Sequence, residues 1–335
     1  MRYKHFKNAD VDASALAVGT WAIGAFGYGD VNDEDSVAAI RAMFDGGVNL
    51  IDTAPVYGAG YSEKVCARAL EGLDRSKILV STKCGVGPTT LKPQRGLTPV
   101  GKQSLRDSSF ANLMYECEQS LRRLKTDYID FYFIHWPDYD MPFEETAAAL
   151  NLLKQQGKIR FIGLSNFSKE QMLEMGKYCR IDVIQPAYSM VSRRDEDLMK
   201  WCHTQGIDTF TYGSLGAGIL TGTFREVPTF GEKDPRNGFY PFFKEPHFSK
   251  VMKVLAVMDE ISAETGKPLP QIAINWSTQK DYVSTALCGV RNVKEAQENC
   301  STFDWTLTDE QIARLDAAIA KYLDFDGSAP LKYAL

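Results

Sequence analysis

Short apolar runs alternate with amphipathic helical patterns along most of the chain. The runs are Leu16–Thr20, Val48–Ile51, Ile78–Val80, Ile129–Ile134, Phe161–Leu164, Val183–Ile184, Asp208–Tyr212 and Tyr282–Leu287. Each is bounded by polar or turn residues and rich in β-formers, the pattern of strands buried on both faces. Between them, Val37, Ile40 and Phe44 share one helical face, as do Leu113, Cys117, Leu121 and Leu124. Ser168–Gln171 and Thr308–Gln311 have capping-box spacing, and Gly157 is placed to stop a helix over Phe143–Gln156. Strict strand–helix alternation implies a parallel sheet. Eight units in a chain of this length predict a closed (β/α)8 barrel, a single domain over residues 1–335, ahead of an open doubly wound sheet. Gly24-x-x-Gly27-x-Gly29 reverses the spacing of the dinucleotide fingerprint, so it is not read as one.

Composition narrows the function classes. With 335 residues, 44% hydrophobic and 24% charged, the chain can bury a large core. A net charge of −5 offers no basic face for nucleic acid. No run approaches the roughly 20 apolar residues of a membrane span, and the basic start Met1–Lys7 has no apolar stretch behind it, unlike a secretory signal. The seven cysteines are scattered without a Cys-x-x-Cys, and His5, His135, His203 and His247 lie far apart. Neither a disulfide framework nor a metal site is expected, and the cytoplasm is the expected compartment.

In such a barrel the chemistry sits at the carboxyl ends of the strands. The groups following the runs there are Asp52 and Tyr57, Lys83, His135, Ser165 and Asn166, Gln185, and Tyr212. Taken singly, Asp52 could cap a turn, Tyr57 anchor a loop, Lys83 form a Schiff base and His135 fill the core. Converging on one rim, they form a candidate catalytic constellation.

At these positions Gly47-Val-Asn-Leu-Ile-Asp52-Thr-Ala-Pro-Val-Tyr57-Gly58, Val80-Ser-Thr-Lys83 and Ile134-His135-Trp136-Pro137 resemble the signature blocks of the aldo-keto reductase superfamily. Gly163-Leu-Ser-Asn166-Phe167, Gln185-Pro186, Tyr212-Gly-Ser-Leu-Gly-Ala-Gly-Ile-Leu-Thr-Gly222 and Gly289-Val-Arg-Asn-Val-Lys-Glu-Ala-Gln-Glu-Asn299 match further blocks in order, over roughly residues 14 to 322. The resemblance implies reversible, NAD(P)(H)-dependent reduction of an aldehyde or ketone. Tyr57 would be the general acid, Lys83 would lower its pKa, Asp52 would hold Lys83, and His135 would orient the carbonyl. A free phenol, with a pKa near 10, is too weak an acid to serve well alone.

The resemblance also places the cofactor. Tyr212 would stack on the nicotinamide, and Ser165, Asn166 and Gln185 would bind its carboxamide. The loop Gly213, Ser214, Leu215, Gly216, Gly218, Leu220 and Gly222 would hold the pyrophosphate on its N–H groups. Gly289, Arg291, Glu295, Glu298 and Asn299 would border the adenosine, with Thr20 and Trp21 beside the cofactor. Gly213 and Ser214 replace a Ser-Pro common in the family, which would loosen this loop. Arg291 suits the 2′-phosphate of NADP(H), the favoured cofactor; Glu295 would repel it and leaves NAD(H) open, and the two residues could instead pair with each other. Trp21 and Trp136, with Tyr57 and His135, would line the pocket for a small carbonyl or alcohol substrate; no nucleic-acid or membrane partner is expected, and self-association is left open. A basic loop (Lys92, Arg95, Lys102, Arg106) reads as attraction for an anion or as a solvated surface. The aromatic stretch Phe224–Phe248 reads as a lid or as packing on the barrel. Cys84, beside Lys83, reads as an inert thiol or a redox-sensitive one. The same superfamily contains non-catalytic, cofactor-sensing regulatory subunits, the alternative function.

Overall fold

The computed structural model describes residues 1–24, 32–87, 105–232, 234 and 236–328. A hairpin of β1 (Tyr3–Phe6) and β2 (Val11–Ser14) comes first. Then follow β3 (Leu16–Gly19), α1 (Asp33–Asp45), β4 (Leu50–Asp52), α2 (Tyr61–Leu70), β5 (Leu79–Cys84), a small ribbon of β6 (Val86–Gly87) and β7 (Leu105–Arg106), α3 (Phe110–Leu124), β8 (Ile129–Ile134), α4 (Phe143–Gln155), β9 (Ile159–Ser165), α5 (Lys169–Met175), β10 (Val183–Gln185), α6 (Glu196–Thr204) and β11 (Asp208–Thr211). Three helices, α7 (Arg236–Phe239), α8 (His247–Thr265) and α9 (Leu269–Thr278), separate β11 from β12 (Thr285–Gly289), and α10 (Val293–Cys300) and α11 (Asp309–Tyr322) close the order.

The expected (β/α)8 barrel is present. Strands β3, β4, β5, β8, β9, β10, β11 and β12 pair in that order, all parallel, and β12 closes onto β3. Its interior is packed by Ala17, Leu50, Leu79, Phe131, Phe133, Val183, Phe210 and Leu287, and β1 plugs one end. The Phe6 ring meets Phe131 and Phe210 at 6.0 and 5.5 Å. A second apolar layer lies between the strands and the helices. Both capping boxes form, at Ser168 and at Thr308, and Gly157 leaves α4 with φ +73° as a stop residue. Several strands reach past the apolar runs, because ladder hydrogen bonds do not depend on side-chain polarity. Asp52, Lys83, Ser165 and Gln185 therefore sit on the strands themselves. Among the described residues no helix is long and apolar enough to cross a membrane.

Candidate active site

Asp52 ends β4 directly opposite Ser81 of β5, and Lys83 lies one pleat further along β5 on the same face as Ser81. The Asp52 carboxylate takes Ser81 Oγ and Gln185 Nε2 on Oδ1, at 2.7 and 3.0 Å, and Lys83 Nζ on Oδ2 at 2.6 Å. Lys83 is fully buried, and its ammonium also donates to the Thr53 carbonyl at 2.8 Å. Burial pulls the ammonium pKa down, but the charge of Asp52 and the contact with Tyr57 outweigh it, and the net direction is upward.

Lys83 Nζ lies 5.0 Å from the centre of the Tyr57 ring, and that ring meets the His135 imidazole edge-on at 6.0 Å and 81°. The Tyr57 loop is held by close backbone approach, since a Cβ at Gly24 would stand 2.8 Å from the Tyr57 carbonyl carbon. Burial pushes the phenol above its ordinary range, Lys83 pulls it back, and Asp52 pushes it up again. The expected net depression by Lys83 is therefore absent from the free protein: desolvation of the phenolate is the larger effect. His135 is driven well below the ordinary histidine range, first by burial, then by the nearby Lys83 and Arg106 charges. Its Nδ1 is buried without a protein partner.

A continuous hydrogen-bonded wall runs from this group around the rim. Tyr212 donates to Asn166 Oδ1 at 2.9 Å, and Asn166 Nδ2 donates to Ser165 Oγ and to the His135 carbonyl, both at 3.0 Å. Ser165 Oγ in turn donates to the Gln185 carbonyl at 2.9 Å, and Gln185 reaches Asp52. Asn166 adopts φ +63°, a left-handed conformation that asparagine tolerates better than most residues. The turn after β11 is built on positive φ at Gly213, Gly216, Ala217, Gly218 and Gly222. The N–H groups of Gly216, Gly218, Leu220 and Gly222 are bonded within it, the last three to the Leu215 and Ile219 carbonyls. Ser214 is buried and donates to the Leu287 carbonyl at 3.2 Å. This ties the turn to β12, where the Gly213-Ser214 replacement led us to expect a looser loop.

The residues expected to border the adenosine gather about the start of α10. Asn292 caps the helix through Glu295 N–H at 2.9 Å. Arg291 is paired with Glu295, Nη2 to Oε1 at 2.7 Å and backbone N–H to Oε2 at 2.9 Å, yet its side chain remains 69% exposed. Gly289 lies in register with Gly19, Glu298 is half-buried with its carbonyl bonded to Gln271, and Asn299 is buried. Thr20 is fully buried and spends its hydroxyl on the Asp52 carbonyl at 2.9 Å. Trp21 is 41% exposed in the turn after β3, and the Arg106 guanidinium stands 5.3 Å over the Trp136 ring.

A model of the aldo/keto reductase family matches residues 15–320. The chain belongs to the aldo/keto reductase family. It is 35% identical to the aldo-keto reductase YhdN of Bacillus subtilis, over 92% of this chain and 91% of the relative. Against the NADH-specific methylglyoxal reductase of Escherichia coli it is 33% identical, over 90% and 93%. The solved glycerol dehydrogenase AKR11B4 of Gluconobacter oxydans superposes with a TM-score of 0.85 at 34% identity, covering 96% of each chain.

Within this aldo/keto reductase, Ser81 and Thr53 are contacts that the apolar pattern did not single out. Period-two alternation from Lys83 would have found Ser81, whereas the Thr53 contact is made by backbone and carries no side-chain signal. The stretch after β11 packs rather than hangs free: Phe224, Phe230 and Phe243 meet edge to face at 4.9 to 5.6 Å, and Phe242, Phe243 and Phe248 are buried. Tyr240 is stacked on Phe242 at 5.2 Å, and burial pushes its phenol up to about 12. Cys84 is fully buried and burial pushes its thiol up, as expected of an inert thiol. Lys92, Arg95 and Lys102 lie outside the described residues, as do Gly27 and Gly29. Among the described residues no group of three or more His, Cys, Asp or Glu could hold a metal ion.

Proposed function

We propose that this chain interconverts an aldehyde or ketone with its alcohol, with NADP(H) the preferred hydride carrier and NAD(H) the alternative. The observation that carries this reading is the buried Asp52–Lys83 pair set beneath the half-buried Tyr57 ring, with His135 against that ring. The residues fit a nicotinamide nucleotide. Amide groups line the wall at Asn166 and Gln185, a turn of positive-φ residues follows β11, and a buried imidazole nitrogen has no protein partner. When bound, the nicotinamide supplies the hydride.

The chain's own groups then handle the proton. Tyr57, kept protonated by burial, gives its phenolic proton to the oxygen that becomes the alcohol. The Lys83 ammonium stabilises the phenolate left behind, and Asp52 keeps Lys83 charged and aimed. A neutral His135 offers an N–H to the same oxygen and sets its direction. Tyr212 forms the wall against which the nicotinamide ring would stack. The faces of Trp21 and Trp136 suit sugar C–H surfaces and aryl carbonyls. A binding-only regulatory subunit has no need of all four of Asp52, Tyr57, Lys83 and His135.

For the cofactor, Arg291 supports a 2′-phosphate. Its pairing with Glu295 is an exposed surface contact of the kind worth about 0–1 kcal/mol, weak enough for a phosphate to displace. The Escherichia coli relative is named as NADH-specific, so membership of the family does not decide the choice. One assay tests both parts: NADPH and NADH oxidation by the parent, Arg291→Ala and Glu295→Gln against sugars, short aldehydes, aryl aldehydes and ketosteroids. The parent is expected to turn over with NADPH preferred. Arg291→Ala should lose about tenfold in NADPH efficiency alone, the worth of a charge-assisted bond, and Glu295→Gln should gain. A parent preferring NADH, with Arg291→Ala neutral, overturns the cofactor assignment. Cofactor binding without turnover of any carbonyl favours the regulatory reading.

A further inference from the structure

We propose that Ser81 is a positioning residue for proton delivery by Tyr57, acting by holding the Asp52 carboxylate in the orientation that serves Lys83. The proposal rests on the reading of Tyr57 as proton donor given above.

The ladder makes the contact. Ser81 is the residue of β5 in register with Asp52 of β4, and both are buried inside the barrel wall. A fully buried hydroxyl has no water to turn to, and it donates to Asp52 Oδ1 at 2.7 Å. Lys83, two residues on and on the same face, takes Oδ2 at 2.6 Å. The two side chains of one strand thus hold the two oxygens of one carboxylate and set its plane. The terminal torsion of aspartate is otherwise broad and two-fold, so the plane needs an external constraint.

Gln185 is the second donor on Oδ1, at 3.0 Å. It reaches across from β10 on a longer, more adaptable side chain, and its amide also belongs to the hydrogen-bonded wall assigned to the nicotinamide carboxamide. Any movement of Gln185 toward a bound nucleotide leaves Ser81 as the remaining side-chain donor on Oδ1 among the described residues. Ser81 is therefore the donor on Oδ1 that lies outside the wall proposed for the nucleotide.

Electrostatics gives this contact a consequence at Tyr57. The ionisable groups bearing on the Tyr57 phenol are Lys83 from β5, Asp52 from β4, His135 after β8, Tyr212 after β11 and Tyr240 beside α7. His135 is held neutral. Asp52 opposes phenolate formation and Lys83 favours it. A hydroxyl donating to a buried carboxylate stabilises the anion and softens its field. Without Ser81 Oγ the Asp52 charge is less compensated and the carboxylate less well aimed, so the phenolate left after proton transfer is less stable.

The test compares the full-length parent, Ser81→Ala, Ser81→Cys and Tyr57→Phe. Cysteine refills the space that alanine leaves, with a slightly larger side chain, but donates weakly, so loss of filling alone would be recovered by Cys and loss of the donor would not; the Tyr57 ionisation separates the donor role from any overpacking. Two readouts are taken. The first is steady-state reduction of the carbonyl turned over fastest in the assay above. The second is the ionisation of Tyr57 in the protein without cofactor, followed by NMR of ring-labelled tyrosine, with the signal assigned by its loss in Tyr57→Phe. Both Ser81 variants should lose about tenfold in kcat with KM little changed, the usual worth of a hydrogen bond to a charged group. In both, Tyr57 should ionise about half a pH unit later than in the parent. Ser81→Cys matching the parent, or Ser81 variants with parental kcat and parental Tyr57 ionisation, overturns the proposal. If Tyr57→Phe itself keeps parental turnover, the reading of Tyr57 fails first. If Tyr57→Phe is inactive while the Ser81 variants match the parent, only this proposal fails.

Discussion

His135 shows how burial decides chemistry at the level of a single residue. The imidazole starts from an ordinary value near 6.5 and is pushed well below it by burial, with Lys83 and Arg106 adding repulsion. A group whose pKa is depressed in this way stays neutral as pH falls through the usual histidine range. Reduction should then have no acid limb from His135 between about pH 6 and 8, and kcat/KM should stay flat within about twofold across that window. A clear inflection near 6.5 that disappears in His135→Gln would contradict the assignment. The identity of His135, Tyr57, Lys83 and Asp52 was legible in the chain, because each follows or ends an apolar run. The balance of charges was not legible. Lys83 does lower the phenol pKa as expected, but the cost of burying a phenolate depends on how completely the barrel wall closes around it, and no sequence spacing records that.

At the scale of elements, α3 carries both a legible and an illegible side. Leu113, Cys117, Leu121 and Leu124 recur at helical spacing and are buried as expected. Asn112, Glu116 and Ser120 are buried beside them, and a polar residue inside an apolar stripe cannot be told from a surface one by period alone. Glu116 Oε2 accepts the Gly85 N–H at 2.7 Å, two residues past Lys83. Burial raises this carboxyl from 4.5 to about 7. Since the folded protein holds the proton more tightly than the unfolded chain, this contribution is fully present below the unfolded value and is lost as pH rises through the folded one. Glu116→Gln keeps an acceptor for Gly85 and carries no charge. It should be more stable than the parent above pH 7, on the order of 2 kcal/mol, with the difference fading toward pH 4.5. Urea unfolding of both proteins at several pH values measures this, and a variant less stable than the parent at pH 8 would contradict it. The same limit applies elsewhere. The barrel strands show as apolar runs because parallel strands are buried on both faces. The β1–β2 hairpin is short and half-exposed, and α9 is buried at every position but Pro270, so its Ile272–Trp276 run shows no helical period.

For the molecule as a whole, the barrel brings to one rim residues that the chain keeps far apart, such as Asp52 and Gln185, 133 positions from each other. Their presence at strand ends was readable; their mutual contacts were not, because contacts across a barrel depend on the stagger of strands in space. The Arg291–Glu295 pair, four residues apart on one helix start, was readable as an option for the opposite reason. On the proposed contacts from β9, β10, the turn after β11 and α10, a bound nucleotide should stabilise the folded barrel by mass action. At about 100 times its Kd the gain is about 2.7 kcal/mol, seen as a rise of a few degrees in Tm; no rise with NADPH or NADH would count against the cofactor site. Proton delivery by Tyr57 depends on one oxygen atom, which a phenylalanine removes. Tyr57→Phe should lower kcat for carbonyl reduction by about 10²- to 10⁴-fold, with the Kd for NADPH, measured by quenching of protein fluorescence, within about twofold of the parent. A Tyr57→Phe protein that binds cofactor and reduces carbonyls at the parental rate would contradict the account.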